Sequence, residues 1–211
     1  TGYEVILQEG EISALSYLFT GGAEHPFVAP GLVDLQVNGY GGQEFNDPAL
    51  TVDQVRQIAL AMDADGVVEF CPTFTTASYE LLHHSISTVA NAIETDPVIA
   101  RRCQSLHLEG PYISSEDGPR GAHPLEHVRP PCWDEFQQLQ EAANGRIRIL
   151  TLSPEYENSV EFIQKVVQSG VVVAIGHTSA NSEQIQAAVD AGASMSTHLG
   201  NGAHGSIRRH P

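Results

Sequence analysis

The feature that most constrains the fold of this chain is a regular alternation between short apolar runs and segments of helical period. From Pro30 onward, each apolar run rich in β-branched residues is followed by a stretch in which apolar residues recur every three or four positions. Near-continuous apolar strands are typical of a parallel sheet covered on both faces by helices. This order predicts an α/β fold, either a β/α barrel or a doubly wound sheet. The candidate strands are residues 32–37, 67–73, 105–109, 147–153, 171–177 and 194–199.

Helix boundaries are marked by capping and terminating residues. Thr51 followed by Gln54 has the pattern of a capping box, which marks the start of a helix. Gly66 has the position expected of the residue that ends this helix. Two further amphipathic segments end at Gly170 and Gly192. These signals indicate that the strand–helix unit recurs along most of the chain.

Residues 1–30 differ from the rest of the chain. They contain short β-prone runs, Tyr3–Leu7, Leu15–Phe19 and Phe27-Val28, separated by glycine and proline. The sequence therefore predicts a small β segment that precedes the α/β region.

Composition excludes two classes of macromolecular partner. The 211 residues include 26 acidic and 10 basic side chains, which give a formal net charge of −16. Such a surface repels nucleic-acid phosphates and anionic lipid headgroups, so neither nucleic acid nor a membrane is an expected partner. Cys71, Cys103 and Cys132 form no C-x-x-C pair, which predicts no disulfide framework and a reducing, cytoplasmic location.

Polar residues collect at the C-terminal ends of successive candidate strands. The third strand ends at Glu109, the fifth ends at His177, and the sixth ends one residue beyond His198. A β/α barrel keeps its active site at these ends, whereas a doubly wound sheet concentrates its site at one switch point. The distribution favours a barrel.

Glu109, His177 and His198 have the chemistry of metal ligands. One carboxylate and two imidazoles suit Zn²⁺ or another first-row divalent ion. Three protein ligands also leave a position open for water, whose pKa a metal can lower from 15.7 to about 7. The alternative is that each histidine closes its strand as a hydrogen-bonded core residue. Their occurrence together at equivalent strand ends favours the metal site.

Two other histidines lie close to this set in the sequence. His107 precedes Glu109 by two residues in an alternating strand, so it points into the same site, packs in the core or supports a ligand. His123 lies in a loop rich in glycine and proline after the third strand. A substrate contact and a structural capping role are both open for His123.

Five segments, in order between about Pro30 and the sixth strand, resemble one enzyme family. Together they strongly resemble the N-acetylglucosamine-6-phosphate deacetylase family, which is part of the amidohydrolase superfamily of metal-dependent barrels. The segments are Pro30–Gly39 (PGLVDLQVNG), His107–Pro111 (HLEGP), Gly121–His123 (GAH), Gly176–Thr178 (GHT) and Thr197–Gly202 (THLGNG).

The resemblance implies a (β/α)8 TIM barrel of the metal-dependent hydrolase type that carries a small β-sandwich. In that fold, residues 1–30 are part of the sandwich and residues 31–211 are an incomplete barrel that contains strands one to six. A complete barrel takes about 250 residues. We therefore expect the remaining strands to come from further sequence or from a partner chain.

The resemblance also implies an activity and its residues. The reaction is removal of the N-acetyl group from N-acetylglucosamine 6-phosphate, which yields glucosamine 6-phosphate and acetate in amino-sugar catabolism. Glu109, His177 and His198 become the metal ligands, with zinc expected and iron, manganese or cobalt as alternatives. His123 becomes a catalytic residue that polarises the acetyl carbonyl or holds the sugar, and a homodimer is expected. The implied substrate-binding residues are Ala122, His123, Asn201, Gly202 and Arg209.

Two departures from the family pattern refine this expectation. Many amidohydrolases end the first strand in a His-x-His pair that holds a second metal, whereas this chain has Gln36 and Asn38. Neutral amides are poor replacements for imidazole, so we predict one metal per chain. The segment Gly200–His204 also differs from the family, which leaves the sugar and the need for its phosphate open.

A third departure concerns the general base. The family's aspartate that takes a proton from the metal-bound water lies at the end of strand eight, beyond the six strands found here. Three hypotheses follow. The chain is the N-terminal part of the deacetylase, a related amidohydrolase for another N-acyl sugar or amide, or a non-catalytic metal-binding fragment.

Overall fold

The computed structural model describes residues 2–18 and 28–206, and the chain divides into two compact units between Pro30 and Gly31. The first unit contains an antiparallel hairpin of β1 (Gly2–Gln8) and β2 (Glu11–Leu18). The predicted run at Tyr3–Leu7 is therefore confirmed as a strand. Phe19 and Phe27, which end or begin two other predicted runs, lie outside the described residues. The sandwich stays a prediction.

The second unit is built on a six-stranded sheet in which every neighbouring pair is parallel. The strands lie side by side in the same order as in the sequence. A doubly wound sheet would reverse this order at a switch point, so the topology is that of barrel winding. The sheet strands are β3 (Leu32–Val37), β6 (Val67–Thr75), β7 (Leu106–Glu109), β8 (Ile147–Leu152), β9 (Val172–Ile175) and β10 (Met195–Ser196), whereas β4 (Gly39–Tyr40) and β5 (Gln43–Glu44) form a separate hairpin.

Helices connect successive strands of the sheet. The predicted capping box is confirmed, since the Thr51 side chain accepts from the Gln54 N–H and the Gln54 side chain accepts from the Thr51 N–H. Gly66 ends the segment with a φ of 75°, as the sequence predicts. In the described ranges, no helix is both long and apolar enough to cross a membrane. The α-helices are α1 (Val52–Ala61), α2 (Tyr79–Thr95), α3 (Pro97–Ala100), α4 (Trp133–Ala142), α5 (Ser159–Gln168) and α6 (Ser182–Asp190), and 3₁₀ turns span Met62–Asp65 and Leu125–His127.

Two strands are shorter than the sequence predicts. The predicted strand over residues 171–177 ends at Ile175, and the one over residues 194–199 is reduced to Met195–Ser196. The reason is the backbone of His177 and His198, whose φ angles of 50° and 53° lie in the left-handed region. A residue in that conformation leaves the strand. Both strands therefore turn sharply at the histidines that the sequence predicts as ligands.

The core lies between the sheet and its helices. Its large side chains come from both layers and are fully buried, and each contributes about 1.5–3 kcal/mol relative to an exposed position. Examples are Phe70, Phe74, Leu82, Ile86, Leu106, Leu108 and Phe136. This packing fixes the strands whose C-terminal ends hold the candidate site.

The two edges of the sheet expose apolar side chains. On β3, Val33 is 58% exposed and Leu32 is 60% exposed. Near β10, Leu199 is 87% exposed and Val189 of α6 is 48% exposed. In the described part of the chain neither edge has a further strand beside it. Such edges are ordinarily covered or paired.

Candidate metal centre and active site

Three predicted ligands converge at the C-terminal edge of the sheet. Glu109 is the last residue of β7, and the two histidines follow β9 and β10. Glu109 Oε1 lies 3.2 Å from His177 Nε2 and 3.1 Å from His198 Nε2. The ligand atoms of all three residues lie within 4.8 Å of one another. The fold thus brings together residues that are far apart in the sequence.

The electrostatics of Glu109 favour a nearby cation. Glu109 is only 1% exposed, and burial alone would disfavour its charged carboxylate. The hydrogen bond from His177 and the positive potential of neighbouring histidines overcome burial and lower the pKa of Glu109 to about 2. A buried ionised carboxylate needs compensating positive charge. One carboxylate and two imidazoles fit a first-row divalent ion in that position.

The ring of His177 is held in one orientation. Its Nδ1 lies 2.9 Å from the carbonyl oxygen of Pro119. Because a carbonyl only accepts, Nδ1 carries a hydrogen, and Nε2 is the atom that faces Glu109. A carboxylate also only accepts, so Nε2 donates to Glu109 when the ring carries both hydrogens, whereas in the neutral ring Nε2 is the atom available to a metal. Burial opposes the charged ring, but the hydrogen bonds to Glu109 and Pro119 raise the pKa of His177 overall. An Nδ1–H donated to a carbonyl is the usual support of a metal-binding histidine.

His198 is held less firmly than His177. Its carbonyl accepts the N–H of Asn201 at 2.7 Å and the N–H of Gly202 at 3.1 Å. Its side chain is 41% exposed, and Gln36 Nε2 lies 3.4 Å from its Nε2. The backbone of His198 is therefore fixed by a tight turn, whereas its ring has an open side.

His123 lies directly against the ligand cluster. Its Nε2 is 3.2 Å from His177 Nε2, and its Nδ1 is 2.9 Å from Thr76 Oγ1. The residue is 7% exposed. Burial and the neighbouring His177 lower the pKa of His123 to about 4, so its ring is neutral at pH 7. The structure places this loop histidine beside the ligand cluster, and its catalytic role stays a prediction.

A cavity of about 320 Å³ opens in front of the cluster, and Ala122 and His123 are among the residues that line it. Asn201 and Gly202 instead form the turn behind His198, and Arg209 lies outside the described residues. Binding of substrate stays a prediction for all five residues that the resemblance implies, which are Ala122, His123, Asn201, Gly202 and Arg209. The cavity is lined by Asn38, Thr75, Glu109, Ala122, His123, Pro124, His177 and His198.

His107 belongs to a buried network beside the cluster. Its Nδ1 lies 3.1 Å from the Leu35 carbonyl, and its Nε2 lies 2.7 Å from Thr151 Oγ1. Thr151 Oγ1 in turn lies 2.8 Å from Thr197 Oγ1, next to His198. Of the alternatives left open by the sequence, the structure selects a supporting position for His107, which is 1% exposed.

Sequence reasoning missed two groups that orient the histidines. One of these groups is the Thr76 hydroxyl, just beyond the end of β6. The predicted strand ended at Thr73, so the sequence did not place Thr76 at the end of a strand. Gly110, with a φ of 83°, leaves room for it, since a Cβ there would lie 2.2 Å from Thr76 Oγ1. The carbonyl of Pro119 gave no signal at all, because any residue provides a carbonyl.

Comparison with known proteins places this geometry in a family context. No protein-family model matches the chain. An N-acetylglucosamine-6-phosphate deacetylase from Bos taurus is 35% identical over 177 residues, which cover 82% of this chain and 42% of the relative. An N-acetylgalactosamine-6-phosphate deacetylase from a Shewanella strain is 35% identical over 182 residues, which cover 86% and 44% of the two chains.

A solved N-acetyl-D-glucosamine-6-phosphate deacetylase from Mycobacterium smegmatis matches the fold with a TM-score of 0.81 at 30% identity. The match covers 97% of this chain and 53% of the solved one. The chain is a homologue of the N-acetylglucosamine-6-phosphate deacetylases. A mutant of the same mycobacterial enzyme has been solved in complex with N-acetyl-D-glucosamine-6-phosphate, and it matches with a TM-score of 0.77 at 31% identity over 94% and 51% of the two chains.

The extent of these matches agrees with the observed topology. The chain spans about two fifths of the length of these curated deacetylases and about half of the solved chains. Its parallel sheet and helices form a half-barrel that matches the deacetylase structures. The family resemblance indicated by the five sequence segments is confirmed.

Proposed function

We propose that this chain provides the metal-binding half of an enzyme that removes the N-acetyl group from N-acetylglucosamine 6-phosphate. The convergence of Glu109, His177 and His198 carries the proposal. Homology to the deacetylases supports the substrate class. The products are glucosamine 6-phosphate and acetate.

The three ligand side chains define what a metal would do here. Glu109, His177 and His198 would hold a divalent ion, with zinc as the first choice, and such an ion would supply Lewis acidity toward an amide carbonyl and a water molecule. The chain's contribution is to keep Glu109 ionised and to present His177 Nε2 rather than Nδ1. We propose one ion per chain, because Gln36 and Asn38 offer amides where a second metal would need imidazoles.

His123 is placed to assist with its neutral ring. If the Thr76 hydroxyl donates to His123 Nδ1, then Nε2 carries the hydrogen and faces the ligand cluster. A neutral Nε2–H in a buried cavity can donate to an acetyl carbonyl as negative charge develops there. We propose this tautomer for the substrate-bound enzyme.

The remaining parts of the enzyme are also proposals. We propose that further strands complete an eight-stranded barrel over the exposed edges at β3 and β10. We also propose that residues 1–30 belong to a β-sandwich and that residues 31–211 are the incomplete barrel. Asn201, Gly202 and Arg209 would bind the sugar phosphate. A homodimer and a cytoplasmic location complete the proposal.

The experiment is a comparison of acetate release from three substrates by the zinc-loaded enzyme in which further strands complete this half-barrel, since the general base implied by the family resemblance lies beyond the six strands of this chain. We expect release from N-acetylglucosamine 6-phosphate to exceed that from N-acetylgalactosamine 6-phosphate and from unphosphorylated N-acetylglucosamine. His177→Ala should abolish the release, whereas His84→Ala, which changes an exposed histidine of α2, should not.

Two outcomes would contradict the proposal. Acetate release from unphosphorylated amides alone would favour a related amidohydrolase with another substrate. Stoichiometric zinc binding without release from any N-acyl sugar would favour a non-catalytic metal-binding protein.

A further inference from the structure

The turn that carries His177 has an unfavourable backbone conformation. His177 has a φ of 50°, in the left-handed region that is unfavourable for a residue other than glycine. Such a conformation persists only where surrounding contacts hold it. The contacts that hold this turn therefore determine where the His177 ring points.

Both carboxylate oxygens of Glu155 bind the two residues that follow His177. Oε2 accepts the Thr178 hydroxyl at 2.7 Å, and Oε1 accepts the Ser179 hydroxyl at 2.9 Å. The Thr178 hydroxyl oxygen also accepts the Ser153 hydroxyl at 2.9 Å and the Ala180 N–H at 2.9 Å. Thr178 is therefore saturated, with one hydrogen donated and two accepted.

The direction of the remaining hydrogen bonds follows from this arrangement. Because Ser179 donates its only hydroxyl hydrogen to Glu155, the Ser114 hydroxyl must donate to Ser179 Oγ, which is 3.1 Å away. The N–H of Ser114 donates to the His177 carbonyl at 2.9 Å. The Ser114 hydroxyl oxygen accepts the Glu116 N–H at 3.2 Å. A chain of hydrogen bonds thus connects the His177 carbonyl, through Ser114 and Ser179, to the Glu155 carboxylate.

We propose that Glu155 is a positioning residue for the metal site, which acts by holding the Thr178–Ser179 turn and so directing His177 Nε2 toward Glu109. The proposal rests on the metal site proposed above. Within residues 28–206, the hydrogen bonds of the Glu155 side chain go to the turn and not to the ligand side chains. Glu155 therefore acts through His177 and is not itself a ligand.

The chemistry of the carboxylate makes a conservative variant informative. The carboxylate accepts from two hydroxyls, one on each oxygen, whereas the amide in Glu155→Gln accepts on one oxygen only. An amide nitrogen facing Thr178 loses the contact, because Thr178 cannot reverse its hydroxyl without losing one of its two donors. An amide nitrogen facing Ser179 meets the Ser179 N–H, which Oε1 of Glu155 accepts at 3.4 Å. The variant thus breaks one contact to the turn while it preserves the shape of the side chain.

The experiment measures zinc affinity of the chain by competition with a chelator, well below the unfolding temperature. We expect Glu155→Gln to weaken zinc binding about 10-fold, in the range that supporting residues of metal sites show. The matched control is Glu157→Gln, which removes the same charge from a nearby exposed carboxylate and should leave the affinity unchanged. The double variant Thr178→Val/Ser179→Ala keeps the charge of Glu155 but removes both of its hydroxyl contacts to the turn, and it should weaken zinc binding as well.

Several results would overturn the proposal. Glu155→Gln with unchanged zinc affinity would do so even if its unfolding temperature fell, since the residue would then be structural only. Weaker binding in Glu155→Gln but not in Thr178→Val/Ser179→Ala would show that the charge of Glu155 acts at long range and not through the turn. A wild-type chain that binds no zinc would overturn the metal site and this proposal together, whereas normal wild-type binding with an unaffected Glu155→Gln would overturn this proposal alone.

Discussion

The two histidines of the candidate metal site have the same backbone conformation but very different surroundings. His177 follows β9, which has neighbours on both sides, and its side chain is 10% exposed. His198 follows β10, which is an edge of the described sheet, and its side chain is 41% exposed. The ring of His177 is fixed by the Pro119 carbonyl, whereas that of His198 has an open side.

This difference shows how far the described half-barrel preorganises its own site. A ligand on an interior strand receives supporting contacts from both flanking strands and their loops. A ligand on an edge strand receives them from one side, and the other side depends on whatever covers the edge. Leu199, the residue that follows His198, is 87% exposed.

The largest effect expected is a difference in stability between the interior and the edge. Phe74 is fully buried, so Phe74→Ala should lower the free energy of unfolding by about 3–5 kcal/mol, because a cavity remains in the core. Val33 on the β3 edge is 58% exposed, and Val33→Ala should change stability by less than about 0.5 kcal/mol. Urea unfolding of the two variants measures the difference. Equal costs would mean that the β3 edge is packed in solution.

The next effect concerns the metal. Zinc at about 100 times its dissociation constant should stabilise the chain by about 2.7 kcal/mol, because only the folded state assembles the three ligands. Glu109→Gln should abolish this gain, since an amide cannot replace the central carboxylate. Glu126→Gln, at an exposed position, is the control and should keep it. Thermal unfolding with zinc and with a chelator measures the stabilisation by zinc in both variants. If zinc stabilises Glu109→Gln as much as the unchanged chain, Glu109 is not a metal ligand.

The smallest effect separates the two histidines directly. In the metal-free chain, His177→Ala should cost roughly 2 kcal/mol, because it leaves the buried Pro119 carbonyl without its donor. His198→Ala should cost less than about 0.5 kcal/mol, since its ring is partly exposed. Chemical unfolding in the presence of a chelator measures both. Equal costs would show that the edge is as well ordered as the interior.

Much of this architecture could be predicted from local patterns. The β3 prediction matches the observed Leu32–Val37, and the capping box at Thr51 is present as predicted. The convergence of Glu109, His177 and His198 could be predicted because parallel strands bring their C-terminal ends to one edge of the sheet. These features depend on periodicity and strand direction, which are visible in the sequence.

Other features depend on contacts between distant segments. His107 could have faced the site or the core, and only its hydrogen bonds to Leu35 and Thr151 decide between them. Glu155 gave no signal, because one carboxylate in a loop resembles any other until its partners are known. The strand ends were predicted too long at both histidines, because nothing in the sequence marks a left-handed residue that is not glycine.

The sequence by itself determined the order of strands and helices, the types of residue at the strand ends and the family resemblance, since all three are local properties of the chain. Only the tertiary structure decided which nitrogen of His177 faces Glu109 and how exposed each ligand is. A histidine tautomer is selected by its hydrogen-bond partner, and for His177 that partner is a backbone carbonyl 58 residues away. Exposure is decided by the neighbouring strands, which only the assembled sheet provides.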